Sequence, residues 1–301
     1  MGILGIDVGG TNIRVGLVEN NSLVKIEKQK IKADGTEDEI INQIQLLIEK
    51  FSIEKIEGIG IGVPGVVEIE KGIVYDVQNI PSWKEVQLKE KLENIYQLPV
   101  YVNNDANCFT IGEKQFGCVK EFKNIVGLAI GTGLGAGLII NNHLYNGKNC
   151  GAGEFGMIPF KEHNYEYYCS GQFFKNEYGL TGKEVTEKAE LGDKKALEIF
   201  SQFGSNLGEA IKMIMFAVDP EVIVLGGSIS NSFKFFKDVM WNSIKKFPYG
   251  KAAENIKIKV SETKYMAVLG AAALYFDALS KNEIYLSSKE RMIHNNNLVL
   301  K

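Results

Sequence analysis

The chain has 301 residues, 45% hydrophobic and 24% charged, which is ordinary for a globular protein and long for a single hydrophobic core. A formal net charge of −3, with no basic stripe, excludes the long-range field of a polyanion-binding surface, so no nucleic-acid partner is expected. No apolar run reaches the roughly 18 residues of a membrane span, and MGILGIDVGG lacks the basic segment and cleavage site of a signal peptide.

Ile3–Val8, Arg14–Val18 and Leu23–Gln29 read as three strands, turning at Gly9-Gly10 and Asn20-Asn21. Thr36 with Glu39 is a capping-box signature, opening a helix whose apolar residues Ile40, Ile44, Leu47, Ile48 and Phe51 recur at helical spacing. Ile56–Val63 is a buried strand stopped by Pro64-Gly65. A helix around Val86–Tyr96, a strand Val100–Asn103 and a helix after Asp105 follow. The same grammar then restarts. Asn124–Ile130 is a strand, GTGLGAG a loop, and Leu138–Ile140 with His143–Tyr145 a hairpin turning at Asn141-Asn142. A long amphipathic helix spans Lys194–Ala217, Val222–Leu225 is a strand ending in Gly226-Gly227, and Ile256–Val260 precedes a helix near Val268–Leu279. The polar tail from Ser280 is loosely ordered or a final helix. This pattern predicts an α/β fold with a duplicated unit and a central cleft, divided as 1–117 and 118–301, the last helix packing back on the first lobe. The four cysteines, Cys108, Cys118, Cys150 and Cys169, show no CxxC spacing, and reduced thiols in a cytoplasmic enzyme are the plain reading.

Three glycine clusters carry the chemistry. In Asp7-Val8-Gly9-Gly10-Thr11-Asn12 the glycines allow close backbone approach to an anion, Thr11 and Asn12 add donors, and Asp7 could hold water around Mg²⁺. A plain hairpin turn reads the same way. Gly131–Gly137 has GxGxxG-like spacing but is followed by a strand, not by the helix of a dinucleotide-binding fingerprint. Small residues at Leu225-Gly226-Gly227-Ser228 would admit a flat adenine ring. None of the clusters is a P-loop, because no Gly-Lys-Ser/Thr triplet ends them. Between them, Asn103-Asn104-Asp105-Ala106-Asn107 places Asp105 at a strand-to-helix junction. A carboxylate there can accept the proton of an attacking hydroxyl, or merely cap the helix.

Seven segments together resemble the ROK family (repressor, open reading frame, kinase) of the actin-like ATPase superfamily. They are LGIDVGGTNIRVGLV from Leu4, GIGVPGVV from Gly60, QNIPSW from Gln78, NNDANC from Asn103, AIGTGLGAGLI from Ala129, GAGEFG from Gly151 and VIVLGGSIS from Val222. The resemblance implies the two-lobed actin-like (ribonuclease H-like) fold and an ATP-dependent sugar kinase working with Mg²⁺. It implies that Asp7, Gly9, Gly10, Thr11 and Asn12 form a first phosphate loop, Thr132 and Gly133 a second, and that Gly226 and Gly227 lie beside adenosine. It further implies a sugar pocket of Gly65, Asn79, Asn104, Asp105, Glu154 and Glu166, with Asp105 as catalytic base and Mg²⁺ near Asp7. The expected partner is a small-molecule sugar, with no membrane and at most a second copy of the chain in a homodimer.

One departure from the family pattern bears on specificity. Met157 stands where relatives have a histidine three residues after the GExG glutamate, and Ile158–Tyr165 has no cysteine where relatives have a zinc-binding cluster. His163 and Cys169 alone do not make a tetrahedral site, so no zinc is expected. The loop must then be held by packing of the apolar run Phe155, Met157, Ile158, Pro159 and Phe160 and of Tyr165, Tyr167, Tyr168, Phe173 and Phe174 a few residues later, with Met157 suited to filling an irregular gap. The zinc-less loop resembles that of some N-acetylmannosamine kinases. That sugar is the first expectation, phosphorylated at its 6-hydroxyl, with glucose or a β-glucoside as alternatives. A sugar-responsive regulator of the same family is the competing class, although its members carry a helix-turn-helix ahead of the phosphate loop that here begins at Asp7. A non-catalytic actin-like ATPase would have no use for the sugar-pocket set.

Overall fold

The computed structural model describes residues 2–281. By its internal contacts the chain divides into two units, one of residues up to Ile111 with those from Ala267, the other Gly112–Met266.

In the first unit β1 (Gly2–Val8) is buried along its whole length. It pairs antiparallel with β2 (Asn12–Glu19), which pairs antiparallel with β3 (Ser22–Lys30). On the other side of β1 lie β4 (Ile56–Val63) and β8 (Val100–Asn104), both parallel to it, in the order β3-β2-β1-β4-β8. Lysines at 25, 28 and 30 protect the edge strand β3 from further pairing. The capping box forms as its residues specify at the start of α1 (Glu37–Ile48), which buries Ile40, Ile41, Ile44, Leu47 and Ile48. A small sheet of β5 (Val66–Glu68), β6 (Ile73–Tyr75) and β7 (Glu85–Val86) precedes α2 (Leu88–Tyr96). Because Glu85 and Val86 pair with β6, the helix expected from Val86 begins two residues later. The helix over 266–281 lies directly on the five-stranded sheet of this unit. A Cβ on Gly60 would stand 1.8 Å from the Ala271 carbonyl, so only glycine admits so close a backbone approach.

The chain enters the second unit within α3 (Asp105–Gln115). There β9 (Ile125–Ile130) pairs antiparallel with β10 (Leu134–Ile140), and β10 with β11 (His143–Leu144). A short hairpin, β12 (Pro159–Phe160) and β13 (His163–Asn164), leads into α4 (Tyr165–Cys169), α5 (Gly171–Tyr178), α6 (Gly182–Glu190) and α7 (Lys194–Val218). Then come β14 (Val222–Gly226), α8 (Phe233–Ile244), α9 (Gly250–Asn255) and β15 (Lys257–Val260). The order β11-β10-β9-β14-β15, with β9, β14 and β15 parallel, repeats the pairing scheme of the first sheet. Its core is aromatic, with Phe174, Phe200, Phe203 and Phe236 fully buried.

One reading needs correction, and one segment went unread. The loop expected over Gly131–Gly137 is confined to residues 131–133, since Leu134 already pairs with Ile130; Gly135 and Gly137 are strand residues. The segment between the second glycine turn and Lys194 forms three helices whose start signals are short caps, not long apolar periodicity. Asn164, Ser170 and Thr181 each accept a backbone N–H of the following turn. The expectation for the tail falls, from residue 282, outside the described residues.

Candidate functional site

In the first unit the β1–β2 register sets Asp7 opposite Arg14, and Arg14 Nη1 donates to Asp7 Oδ2 at 2.6 Å. Asp7 is buried. Burial pushes its carboxyl above the ordinary value, and the Arg14 guanidinium opposes that shift. Gly9 N–H donates to Asn12 O at 2.9 Å, closing a tight turn that leaves Gly10 and Thr11 exposed. A Cβ on Gly10 would lie 3.1 Å from Asn79 Nδ2, so the turn and the QNIPSW loop meet there.

At the end of β8, Asn104 Nδ2 donates to Gly65 O at 3.2 Å, while its Oδ1 accepts Ala106 N–H at 2.8 Å. Asp105, the first residue of α3, is exposed and accepts the same N–H through Oδ1 at 2.9 Å. The capping reading is therefore realised mainly by Asn104, in geometry that leaves Asp105 reachable from solvent. Behind them Asn103 is buried, and its Oδ1 accepts Asn104 N–H at 2.8 Å and Asn107 Nδ2 at 2.9 Å. Arg14, Asn103 and Asn107 were not among the expected site residues. The pairing of Asp7 with Arg14 across a four-residue turn was the signal for the first.

In the second unit Gly131 N–H donates to Gly133 O at 3.0 Å, shaping the turn between β9 and β10. The segment around α4 and α5 clamps it from one side. Gly171 N–H donates to Gly131 O at 2.7 Å, Ser170 Oγ to Thr132 O at 3.1 Å, and Leu134 N–H to Glu166 Oε2 at 3.0 Å. A Cβ on Gly133 would stand 2.5 Å from Glu166 Oε2. Glu166 thus lies against the second glycine turn, its Oε1 accepting Gln172 Nε2 at 2.8 Å. Glu154, an exposed residue just before the turn Phe155–Met157, has its carboxyl raised by partial burial and then by the charge of Glu166.

A cavity of 830 Å³ opens beside this turn, walled by Gly131, Thr132, Gln172, Lys175, Lys183 and Ser228 among others. Its size lies within the roughly 300–1,000 Å³ of small-molecule sites. Gly226 ends β14, and Gly227 follows at φ 82°, where a Cβ would collide with the Ile130 carbonyl at 2.4 Å. Thr132 and Ser228 are thereby brought to one cavity, whose wall does not include Gly226 or Gly227. Gln172, Lys175 and Lys183 were missed, because they lie in the capped helices that periodicity does not mark.

The segment Phe155–Cys169 is held by aromatic packing, as its residues suggest, but not through Met157, which is 59% exposed and fills no gap; Ile158 and Pro159 are exposed as well. Phe155, Tyr165 and Tyr168 are buried, Phe160 stacks on Tyr165 at 4.4 Å, and Lys161 Nζ sits 4.9 Å from the Tyr168 ring centre. Lys161 Nζ also donates to Asn206 Oδ1 at 2.7 Å. Met157 loses its expected place because the short hairpin after it turns the chain so that Tyr165 and Tyr168 reach the core first. Among the described residues no three His, Cys, Asp or Glu side chains gather as a metal site.

Two sheets of one topology, each with a glycine turn after its leading strand, define a protein of the actin-like ATPase class. The sequence profile of the ROK family matches residues 3–278, and the chain belongs to that family. It is 32% identical to the N-acetyl-D-glucosamine kinase of Vibrio cholerae, over 75% of this chain and 84% of that protein. It is 27% identical to the xylose repressor of Bacillus subtilis, over 91% of this chain and 77% of that protein. A ROK family glucokinase from Streptomyces griseus, solved in complex with glucose and AMPPNP, superposes with a TM-score of 0.77 at 26% identity, covering 91% of this chain and 99% of that one.

Proposed function

We propose that the chain transfers the γ-phosphoryl group of ATP to a hydroxyl of a hexose or N-acetylhexosamine, at the 6-position, with Asp105 as base. The observation that carries this reading is the 830 Å³ cavity at the second glycine turn, with Thr132, Lys175 and Lys183 in its wall. Backbone N–H groups and ammonium groups are what a polyphosphate needs, and the glucokinase relative crystallised with AMPPNP supports the assignment. The cavity would take the nucleotide, Gly226 and Gly227 bordering the adenosine. The first turn, Gly9–Asn12, would face phosphate oxygens. Asp105, exposed beside the anchored Asn104, would accept the hydroxyl proton as the phosphorus–oxygen bond forms. Gly65, Asn79, Asn104, Glu154 and Glu166 would hold sugar hydroxyls, their polar atoms being costly to leave unpaired.

The residues fit Mg²⁺ as a companion of ATP. Asp7 offers one carboxylate, held in place by Arg14, and Mg²⁺ usually takes one or two carboxylates with water and phosphate oxygens. When bound, the ion would neutralise developing phosphate charge.

Among sugars, N-acetylmannosamine is the first assignment and glucose the second, with a β-glucoside third. The N-acetyl-D-glucosamine kinase relative supports an N-acetylhexosamine, and the glucokinase relative supports glucose. The repressor relative gives a second reading, a sugar-responsive regulator without turnover. An ADP-release assay across hexoses and N-acetylhexosamines decides between them. Saturable turnover with one sugar supports the kinase; binding of sugars without ADP release from any supports the regulator.

A further inference from the structure

Gln172 is the second residue of α5 and stands in the wall of the cavity. Its side chain is not spent on the cavity. Nε2 donates to Glu166 Oε1 at 2.8 Å, and the other oxygen of Glu166 accepts Leu134 N–H at 3.0 Å. Glu166 is thus fixed at both ends, by the turn that would bind phosphate and by a side chain that would border the nucleotide. Glu154 faces it closely enough to have its carboxyl raised by that charge. Ser170 Oγ also accepts Gln172 N–H at 3.2 Å, which ties the start of α5 to the residue that donates to Thr132 O. A glutamate restrained by two donors keeps one rotamer. Without the amide it keeps only the backbone bond, and a long carboxylate on one hydrogen bond samples several rotamers.

We propose that Gln172 is a positioning residue that holds Glu166 from the nucleotide cavity, so that nucleotide binding and sugar binding at Glu154 and Glu166 reinforce one another. The inference rests on the kinase reading and deepens it. Nucleotide in the cavity restricts Gln172; Gln172 then restricts Glu166; sugar binding has less ordering left to do. By linkage the effect is reciprocal, with coupling factors of roughly 5–150 typical of such systems.

The test is calorimetry on the full chain with AMPPNP and Mg²⁺, and with N-acetylmannosamine or glucose, each alone and with the other already bound. The wild-type chain should bind the sugar about 5-fold or more tightly once AMPPNP is present. Gln172→Leu keeps the bulk and removes the donor, so the factor should fall to near 1 while AMPPNP still binds. Gln172→Glu sets a second carboxylate against Glu166 and should weaken sugar binding even without nucleotide. A residue that merely lines the cavity would change AMPPNP affinity alone. An unchanged coupling factor in Gln172→Leu, or a wild-type factor of 1, overturns the inference and leaves the kinase reading standing. Failure of the wild-type chain to bind AMPPNP overturns the kinase reading itself. Should Gln172→Leu not fold, the sugar affinity of Gln172→Glu decides, and a value equal to wild type overturns the inference.

Discussion

The two glycine turns occupy equivalent places in equivalent sheets, yet they treat charge in opposite ways. The first has a buried carboxylate at its base, Asp7, balanced by Arg14 from the paired strand. The second has no acid of its own in Gly131–Gly133 and borrows one from outside, Glu166, whose oxygen accepts the Leu134 N–H. The first turn is stiffened by an ion pair inside its own hairpin. The second is stiffened by a neighbouring segment that also builds the cavity. Duplication of a topology therefore does not duplicate chemistry. A hairpin that carries its own acid suits a metal-bound phosphate, and one braced from outside suits a site that must report its occupancy.

The widest separation between the units should come from Asp105→Asn. It keeps size and a local acceptor for Ala106 N–H but removes the proton acceptor, so kcat should fall by roughly 100-fold or more. AMPPNP affinity should change far less than kcat, because the substitution leaves every residue of the cavity wall in place. Near-normal turnover of this variant would remove Asp105 from the mechanism.

Valine in each turn sharpens the contrast further. Gly133→Val must push Glu166 aside, since a Cβ there stands 2.5 Å from Oε2. The KM for ATP should rise by roughly 10-fold or more, and the sugar KM should rise with it, because Glu166 is also a proposed sugar ligand. Gly10→Val meets the side chain of Asn79 at 3.1 Å, a neighbour that can shift by a few tenths of an ångström. Its sugar KM should rise along with its ATP KM. Both effects should be smaller than those of Gly133→Val; steady-state kinetics with each substrate varied in turn checks this, and losses as large in Gly10→Val as in Gly133→Val would erase the distinction.

Arg14→Met tests the self-contained balance of the first turn through pH. Burial raises the Asp7 carboxyl and Arg14 opposes the rise, so losing Arg14 lifts it further. The ionised form then persists only at higher pH, and the acid limb of the activity profile should move upward. A carboxyl raised in the folded state contributes stability at low pH and loses it as pH rises through the folded value. The variant's deficit should therefore be largest near neutrality, about 1–3 kcal/mol, and should shrink on acidification. A deficit independent of pH would mean that Arg14 acts through packing alone.

Legibility in the sequence followed the scale of each signal. Strands of the leading hairpins, the Thr36 capping box and α7 were readable, because apolar periodicity and strong caps are local. Gly9–Asn12, Thr132 and Asp105 were readable as turn and strand-end residues, because glycine turns and Asx clusters punctuate strands. Arg14 as partner of Asp7 follows from the spacing across the hairpin turn, whereas Gln172 required knowing that α5 meets the second turn, a tertiary contact that no spacing in the sequence encodes. Met157 misled for the same reason, since side-chain volume says nothing of the direction in which a short hairpin will turn it.

The smallest expected effect concerns the loop between the second turn and α4. His163 and Cys169 are both present there, but they differ in access. His163 is exposed with its ring stacked on Tyr167 at 4.0 Å, whereas Cys169 is fully buried and burial pushes its thiol well above the ordinary value. A metal ligand must be a thiolate, and ionising a thiol in that surrounding is costly. Rings hold this segment. Phe155, Tyr165 and Tyr168 bury apolar surface worth roughly 1.5–3 kcal/mol each before entropy. Lys161 adds a cation over Tyr168 and a bond to Asn206. Lys161→Met should therefore lower Tm by about 2–4 °C, corresponding to roughly 1 kcal/mol in a protein of this size. Elemental analysis of tag-free protein should find well under one zinc per chain. EDTA should leave Tm unchanged, and activity should return in full once Mg²⁺ is restored. Stoichiometric zinc, or a fall in Tm on chelation larger than that from Lys161→Met, would mean that a metal and not the aromatic packing orders this loop.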